Sequence, residues 1–166
     1  MIEMKVAGIA LDAVSRSPII LLKDAADRRA LPIYIGQDQA KAIINALEHQ
    51  APPRPFTHDL IISMLESCSV TINRVLINSL QDNTFYAVIV IEQGGVFKEI
   101  DARPSDAIAL AVRSKAPILV MEEVIADASI PVDRDADEQE RQAFSSFIAD
   151  LRPSDLIKHG SFKLEG

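Results

Sequence analysis

The sequence predicts an α+β domain built from two related β-β-β-α units, followed by a helical acidic tail. Three observations carry this reading. Residues 17–44 and 84–111 share one order of strand, turn, strand and helix, each with a further strand ahead of it. A shift of 67 residues lays Ile33 on Ile100, Ala40 on Ala107 and Ile43 on Leu110. Charge then divides the chain: residues 122–166 hold 11 acids and 5 bases, while residues 1–121 hold 13 acids and 12 bases. The expected division is a body over 1–126 and an acidic, mostly helical extension over 127–166.

Taken in order, Lys5 to Val14 reads as a strand, broken by Ser17-Pro18. Ile19 to Leu22 and Leu31 to Ile35 are the next two strands, with a polar turn between them. Gln37 to His49 is a helix, because Ala40, Ile43, Ile44 and Leu47 recur at helical spacing. Pro52, Pro53 and Pro55 hold the following segment extended. Thr57 suits a helix N-cap, with Asp59 in the first turn. That helix runs to about Ser67, with Leu60, Ile61, Met64, Leu65 and Cys68 along one side. Val70–Leu80, Thr84–Glu92 and Val96–Ala102 are strands separated by Gln81-Asp82-Asn83 and Gln93-Gly94-Gly95, the last of them reading as a short half-buried strand because Val96, Ile100 and Ala102 alternate loosely with Lys98 and Asp101. Pro104 fits the first position of a helix, where a missing N–H costs nothing. Residues 107–112 are apolar all round, so this helix is expected to be buried on most sides. Pro117 closes it, and Ile118–Val120 return to strand. Residues 122–130 show no clear period. Phe144, Phe147, Ile148 and Leu151 form an apolar stripe on a tail helix from about Ala136, and Arg152–Asp155 repeats the tetrapeptide Arg103–Asp106.

The chain has 166 residues, of which 48% are hydrophobic, so one domain with a real core is within reach. The single cysteine, Cys68, excludes an internal disulfide and suits a reducing compartment. No apolar stretch approaches a membrane span. A soluble cytoplasmic protein is expected. The net charge is −7 and no basic face is visible, which argues against a tight grip on a long nucleic acid. Attack on one phosphodiester needs only local positive charge.

Two polar constellations stand out, Arg54-Pro55-Phe56-Thr57-His58-Asp59 and Asp101-Ala102-Arg103-Pro104-Ser105-Asp106. Each puts an arginine ahead of a helix N-terminus and a carboxylate in its first turn. A helix N-terminus beside a guanidinium suits an anion such as phosphate. Asp59, Asp101 and Asp106 offer oxygen ligands of the kind magnesium prefers. His58 can move a proton near neutral pH. A structural reading stands beside this one: Thr57, Asp59, Ser105 and Asp106 cap helices, and Arg54 and Arg103 pair with them. Cys68, on an apolar helix side, reads as core. There is no Cys/His metal spacing, no phosphate-loop glycine pattern and no Gly-x-Ser-x-Gly.

Four segments carry a family resemblance: residues 31–36 (LPIYIG), 53–60 (PRPFTHDL), 82–87 (DNTFYA) and 101–110 (DARPSDAIAL). In this order and spacing the chain resembles the bifunctional nuclease domain family over about residues 4–125, and the Arg152–Asp155 region resembles the family's usual ending. The resemblance implies an α+β domain, DNase and RNase activity of the kind reported for some members, and a homo-oligomer. It offers Arg54, His58, Asp59, Asp101, Arg103 and Asp106 as candidates. Members often carry glutamate where this chain has Gln39; if that glutamate binds metal, this chain should be weak or inactive.

The expected function is a low-specificity nuclease acting on DNA or RNA, assisted by Mg2+ or Mn2+. Arg54 and Arg103 bind phosphate, Asp101 and Asp106 bind metal or water, and His58, oriented by Asp59, moves the proton. The alternative is a non-catalytic oligomeric binding or regulatory module, in which the same motifs only cap helices and shape an interface. Clustering of both motifs in one pocket favours catalysis; separate burial favours the module.

Overall fold

The computed structural model describes residues 1–132. In chain order they form β1 (Ile2–Leu11), β2 (Pro18–Asp24), β3 (Arg29–Tyr34), α1 (Gln37–Leu47), α2 (Thr57–Ser67), β4 (Thr71–Gln81), β5 (Thr84–Gln93), β6 (Val96–Ala102), α3 (Pro104–Ser114), β7 (Ile118–Val120), α4 (Glu122–Ala128) and β8 (Ile130–Pro131). The fold is α+β, as the sequence predicts. The compact unit runs from Met1 to Pro131. The helix expected from Ala136 and the second Arg-Pro-Ser-Asp segment lie outside the described residues.

All eight strands join one sheet in the order β6-β5-β4-β7-β1-β2-β3-β8. Two antiparallel meanders, β1-β2-β3 and β4-β5-β6, are bridged by β7, which runs antiparallel to β1 and parallel to β4. Turn chemistry fixes the second meander. Asp82 and Asn83 both take positive φ (47° and 59°), as do Gly94 and Gly95 (57° and 81°). Two-residue hairpins need that geometry to match the strand twist, and glycine, asparagine and aspartate tolerate it best.

β1 stops at Leu11 rather than Val14 because Asp12 builds a turn. Its Oδ1 accepts hydrogen bonds from the backbone N–H groups of Val14 (3.0 Å) and Ser15 (2.7 Å), and its Oδ2 accepts from the Tyr34 hydroxyl (3.0 Å). The bonds from Ser15, Tyr34 and Val14 hold the Asp12 carboxyl down at about 2.

Alternate strand residues build the core: Ile20 and Leu22, Leu31 and Ile33, Val75 and Ile77, Ala87 and Ile89 are buried in one cluster with Ala40, Ile43 and the apolar run of α3. Burying each such leucine or isoleucine contributes about 1.5–3 kcal/mol. α3 touches α1, α2, β4 and β5, and its residues 107–111 are all buried. The helix ends before Pro117: Lys115 takes a left-handed conformation (φ 58°) and its N–H returns to the Ala111 carbonyl.

Three expectations are corrected. β6 is not half-buried; it is one edge of the sheet, and Val96, Phe97 and Ile100 are exposed. Its charges at Lys98, Glu99 and Asp101 suit an edge that must resist further pairing. Cys68 is exposed rather than core, because α2 ends at Ser67 and Cys68 becomes its C-cap. Residues 122–128 form a helix, α4, whose Val124 and Ile125 are buried; seven residues are too few to display a period. No helix among the described residues is long and apolar enough to cross a membrane.

Candidate functional site

The proline segment bends at Pro53 and Arg54 and leads into α2, and Phe56, in extended conformation, is the N-cap residue rather than Thr57. Thr57 is therefore the first helical residue. The Phe56 N–H donates to Asp59 Oδ2 at 3.0 Å, so Asp59 reaches back to the helix start. The other oxygen, Asp59 Oδ1, accepts from Arg113 Nε at 2.7 Å, and Arg113 Nη1 donates to the Ala109 carbonyl at 2.9 Å. Arg113 thus ties the first turn of α2 to the last turn of α3. Its side chain is only 9% exposed.

This tie places His58, one residue before Asp59, against the first turn of α3. His58 Nε2 lies 3.0 Å from Asp106 Oδ1. The second oxygen, Asp106 Oδ2, accepts from both Nε and Nη2 of Arg103 at 2.6 Å. Arg103 is the N-cap residue of α3 and Pro104 its first helical residue, as the sequence predicts. Two motifs separated by 48 residues thereby become one cluster, His58–Asp106–Arg103. His58 is buried, 9% exposed, while the Arg103 side chain is 68% exposed.

The carboxylate can only accept, so the Nε2 facing it carries a proton. In neutral His58 the free lone pair then sits on Nδ1. Among the described residues, Asn78 Oδ1 is the only fully buried side-chain polar atom that lacks a partner. Among the described residues Nδ1 makes no hydrogen bond either and is not fully buried, so it stays open. A histidine held at one nitrogen by a carboxylate and open at the other can act as a general base.

The surrounding charges are unequal. Burial raises the Asp59 carboxyl, but the hydrogen bonds from Arg113 and Phe56 and the charges of Arg113 and His58 outweigh it, and the net shift is downward. The hydrogen bond and charge of Asp106 push the Arg103 guanidinium upward. Arg103 stays a cation at any working pH.

The cluster opens on a groove of about 960 Å³. α1 contributes Gln39 and Lys41, α2 contributes Thr57, His58 and Ile61, β5 contributes Ile89 and Ile91, and β6 contributes Ile100 and Asp101. Asp101 is exposed and makes no hydrogen bond or ion pair among the described residues. No three His, Cys, Asp or Glu side chains among the described residues are grouped to hold a metal ion. Asp106 fits the metal role poorly, since both oxygens are engaged and a guanidinium shares one of them. Asp101 fits better, as one carboxylate for an ion carried in by a phosphate, the usual mode for magnesium.

Of the candidate residues, His58, Arg103 and Asp106 meet, and Asp101 lines the same groove. Arg54 does not join them: it is exposed, lies outside the groove lining, and has no hydrogen bond or ion pair among the described residues. Asp59 does not orient His58 by a hydrogen bond, because its oxygens go to Phe56 and Arg113. The sequence reading missed Arg113. Its signal was a lone arginine at the end of an otherwise apolar helix, which needs a buried acceptor.

The family model described as "Bifunctional nuclease domain" matches residues 20–133. Over 164 residues the chain is 38% identical to an uncharacterised protein of Mycobacterium tuberculosis, strain H37Rv, covering 93% of this chain and 97% of that protein. Over 112 residues it is 27% identical to Bifunctional nuclease 1 of Oryza sativa subsp. indica and to Bifunctional nuclease of Oryza minuta, covering 66% of this chain and 34% of each of theirs.

Proposed function

Since this chain belongs to the bifunctional nuclease domain family, we propose that it hydrolyses phosphodiester bonds of DNA or RNA at the His58–Asp106–Arg103 cluster. The observation that supports this most is the convergence of both motifs at one groove, with one nitrogen of His58 held and the other open.

In this mechanism Arg103, anchored on Asp106 yet largely exposed, neutralises a phosphate oxygen. His58 Nδ1 takes a proton from a water molecule. The water oxygen forms a bond to phosphorus, the bond from phosphorus to one sugar oxygen breaks, and that oxygen leaves with a proton from solvent. Asp106 keeps Nε2 protonated and stabilises the imidazolium that forms. A Mg2+ or Mn2+ ion entering with the substrate would add charge neutralisation, with Asp101 as its protein contact.

Gln39 bears on how strong the activity is. It lines the same groove as Asp101, and a glutamate there would add a further carboxylate to that lining. The reading is therefore a weak nuclease. The proposal extends to a homo-oligomer, which rests on the family resemblance alone, and to a kinship of the two β-β-β-α units, which the repeated element order supports.

The test is cleavage of a labelled single strand and a labelled duplex with magnesium, manganese or chelator. Cleavage by wild type that vanishes in folded His58→Ala and Asp106→Asn is the expected result. Cleavage that persists in both variants places the chemistry elsewhere, and none in any condition favours the binding module.

A further inference from the structure

The groove combines the polar cluster with a largely apolar lining. Beyond the cluster it is lined by Ile61 and Leu65 of α2, Ile72 of β4, Ile91 of β5 and Ile100 of β6. Phe56 lines it too, two residues before His58, with 52% of its surface exposed. A phosphodiester needs none of these groups. A stacked duplex presents only phosphates, sugars and base edges, and so leaves an apolar lining unused.

Charge points the same way. Among the described residues the groove's lysine and arginine are Lys41 and Arg103, and they share it with Asp38, Asp101 and Asp106. Lys41 already faces Asp38 at 3.8 Å. Phosphate contacts here are too few to supply affinity through counterion release. Contacts to bases must supply it.

We infer that the groove selects an unpaired nucleotide, with its base on the Phe56 ring and the isoleucine lining and its phosphate at Arg103. The inference rests on the reading that this groove receives nucleic acid. A base unstacked from its neighbours offers a flat apolar face to an aromatic ring, and such stacking is indifferent to sequence. The site would therefore prefer single strands, loops and ends over duplex. Its binding would depend only weakly on salt, since about one or two phosphates are neutralised.

The test measures equilibrium binding of the full chain by fluorescence anisotropy. The probes are a short labelled strand, the duplex of the same sequence, and the strand with its bases replaced by abasic sites. Cleavage is followed on the same samples by gel. The expected result is measurable binding of the intact strand, with duplex and abasic strand at least roughly tenfold weaker. Phe56→Ala removes an exposed side chain and leaves the fold intact. It should weaken the intact strand about five- to hundredfold, the range for loss of one stacked base, and leave the duplex unchanged. Equal affinity for all three probes, or no binding, overturns the inference. Strand-selective binding without cleavage supports it and removes the nuclease reading. Equal cleavage and equal affinity for strand and duplex keep the nuclease reading and overturn the inference.

Discussion

His58 Nε2 and Asp106 Oδ1 lie 3.0 Å apart, on the first turns of two different helices. The contact gives the imidazole a fixed tautomer and leaves Nδ1 for chemistry. Replacing Asp106 by Asn keeps the shape but removes the charge that stabilises a protonated His58, and it frees Arg103. Asp106→Asn should lower the cleavage rate by about a hundredfold or more, in the range for a lost acid–base contribution. Single-turnover kinetics with a circular dichroism check on folding would measure it; an unchanged rate would remove Asp106 from the mechanism.

Arg113 and Asp59 join α2 to α3, and breaking the pair leaves a largely buried charge without its partner. Arg113→Met is expected to destabilise the protein by roughly 2–3 kcal/mol, somewhat below the range for fully buried pairs. Asp59→Asn should cost less, because the amide oxygen can still accept the Arg113 Nε hydrogen bond. The double variant should lose less than the sum of the two. Additive losses in urea unfolding would show that the pair is not coupled.

The same carboxylate makes stability depend on pH. The Asp59 value is lowered in the folded protein, so its contribution is fully present above the unfolded aspartate value of about 3.9 and fades as pH falls through the lowered folded value. Wild type should therefore exceed Asp59→Asn in urea midpoint near neutral pH, and the gap should close in acid. A gap that stays constant from neutral pH to below about 3 contradicts the lowered value.

Gln39 offers a gain-of-function test. Gln39→Glu adds a carboxylate to the groove that Asp101 also lines, and it should raise magnesium- or manganese-dependent cleavage several-fold while leaving cleavage in chelator unchanged. The rate as a function of metal concentration is the readout. No change at any concentration would separate Gln39 from cation binding.

Much of the fold was legible in the chain. The α3 segment declared itself because it is apolar all round and carries Pro104 at its start. The second meander declared itself through Asp82-Asn83 and Gly94-Gly95, whose backbones accept positive φ. The helix-start motifs were legible as polar clusters, but their partners were not. A neighbour in sequence suggested that Asp59 serves His58, yet in a helix adjacent residues point different ways, and the real partner comes from 48 residues further on. Arg113 was hidden for the same reason. The exposure of Ile100 and Phe97 follows from β6 being one edge of the sheet, and strand order is not written in a strand's own pattern.

The most direct test of the account is whether His58 moves the proton. Cleavage of a labelled single strand would be compared between wild type and His58→Ala, purified identically, with and without added imidazole. The account predicts a loss of about a hundredfold or more in His58→Ala, with partial recovery when imidazole enters the space the side chain leaves. Equal cleavage by folded His58→Ala and wild type would contradict it.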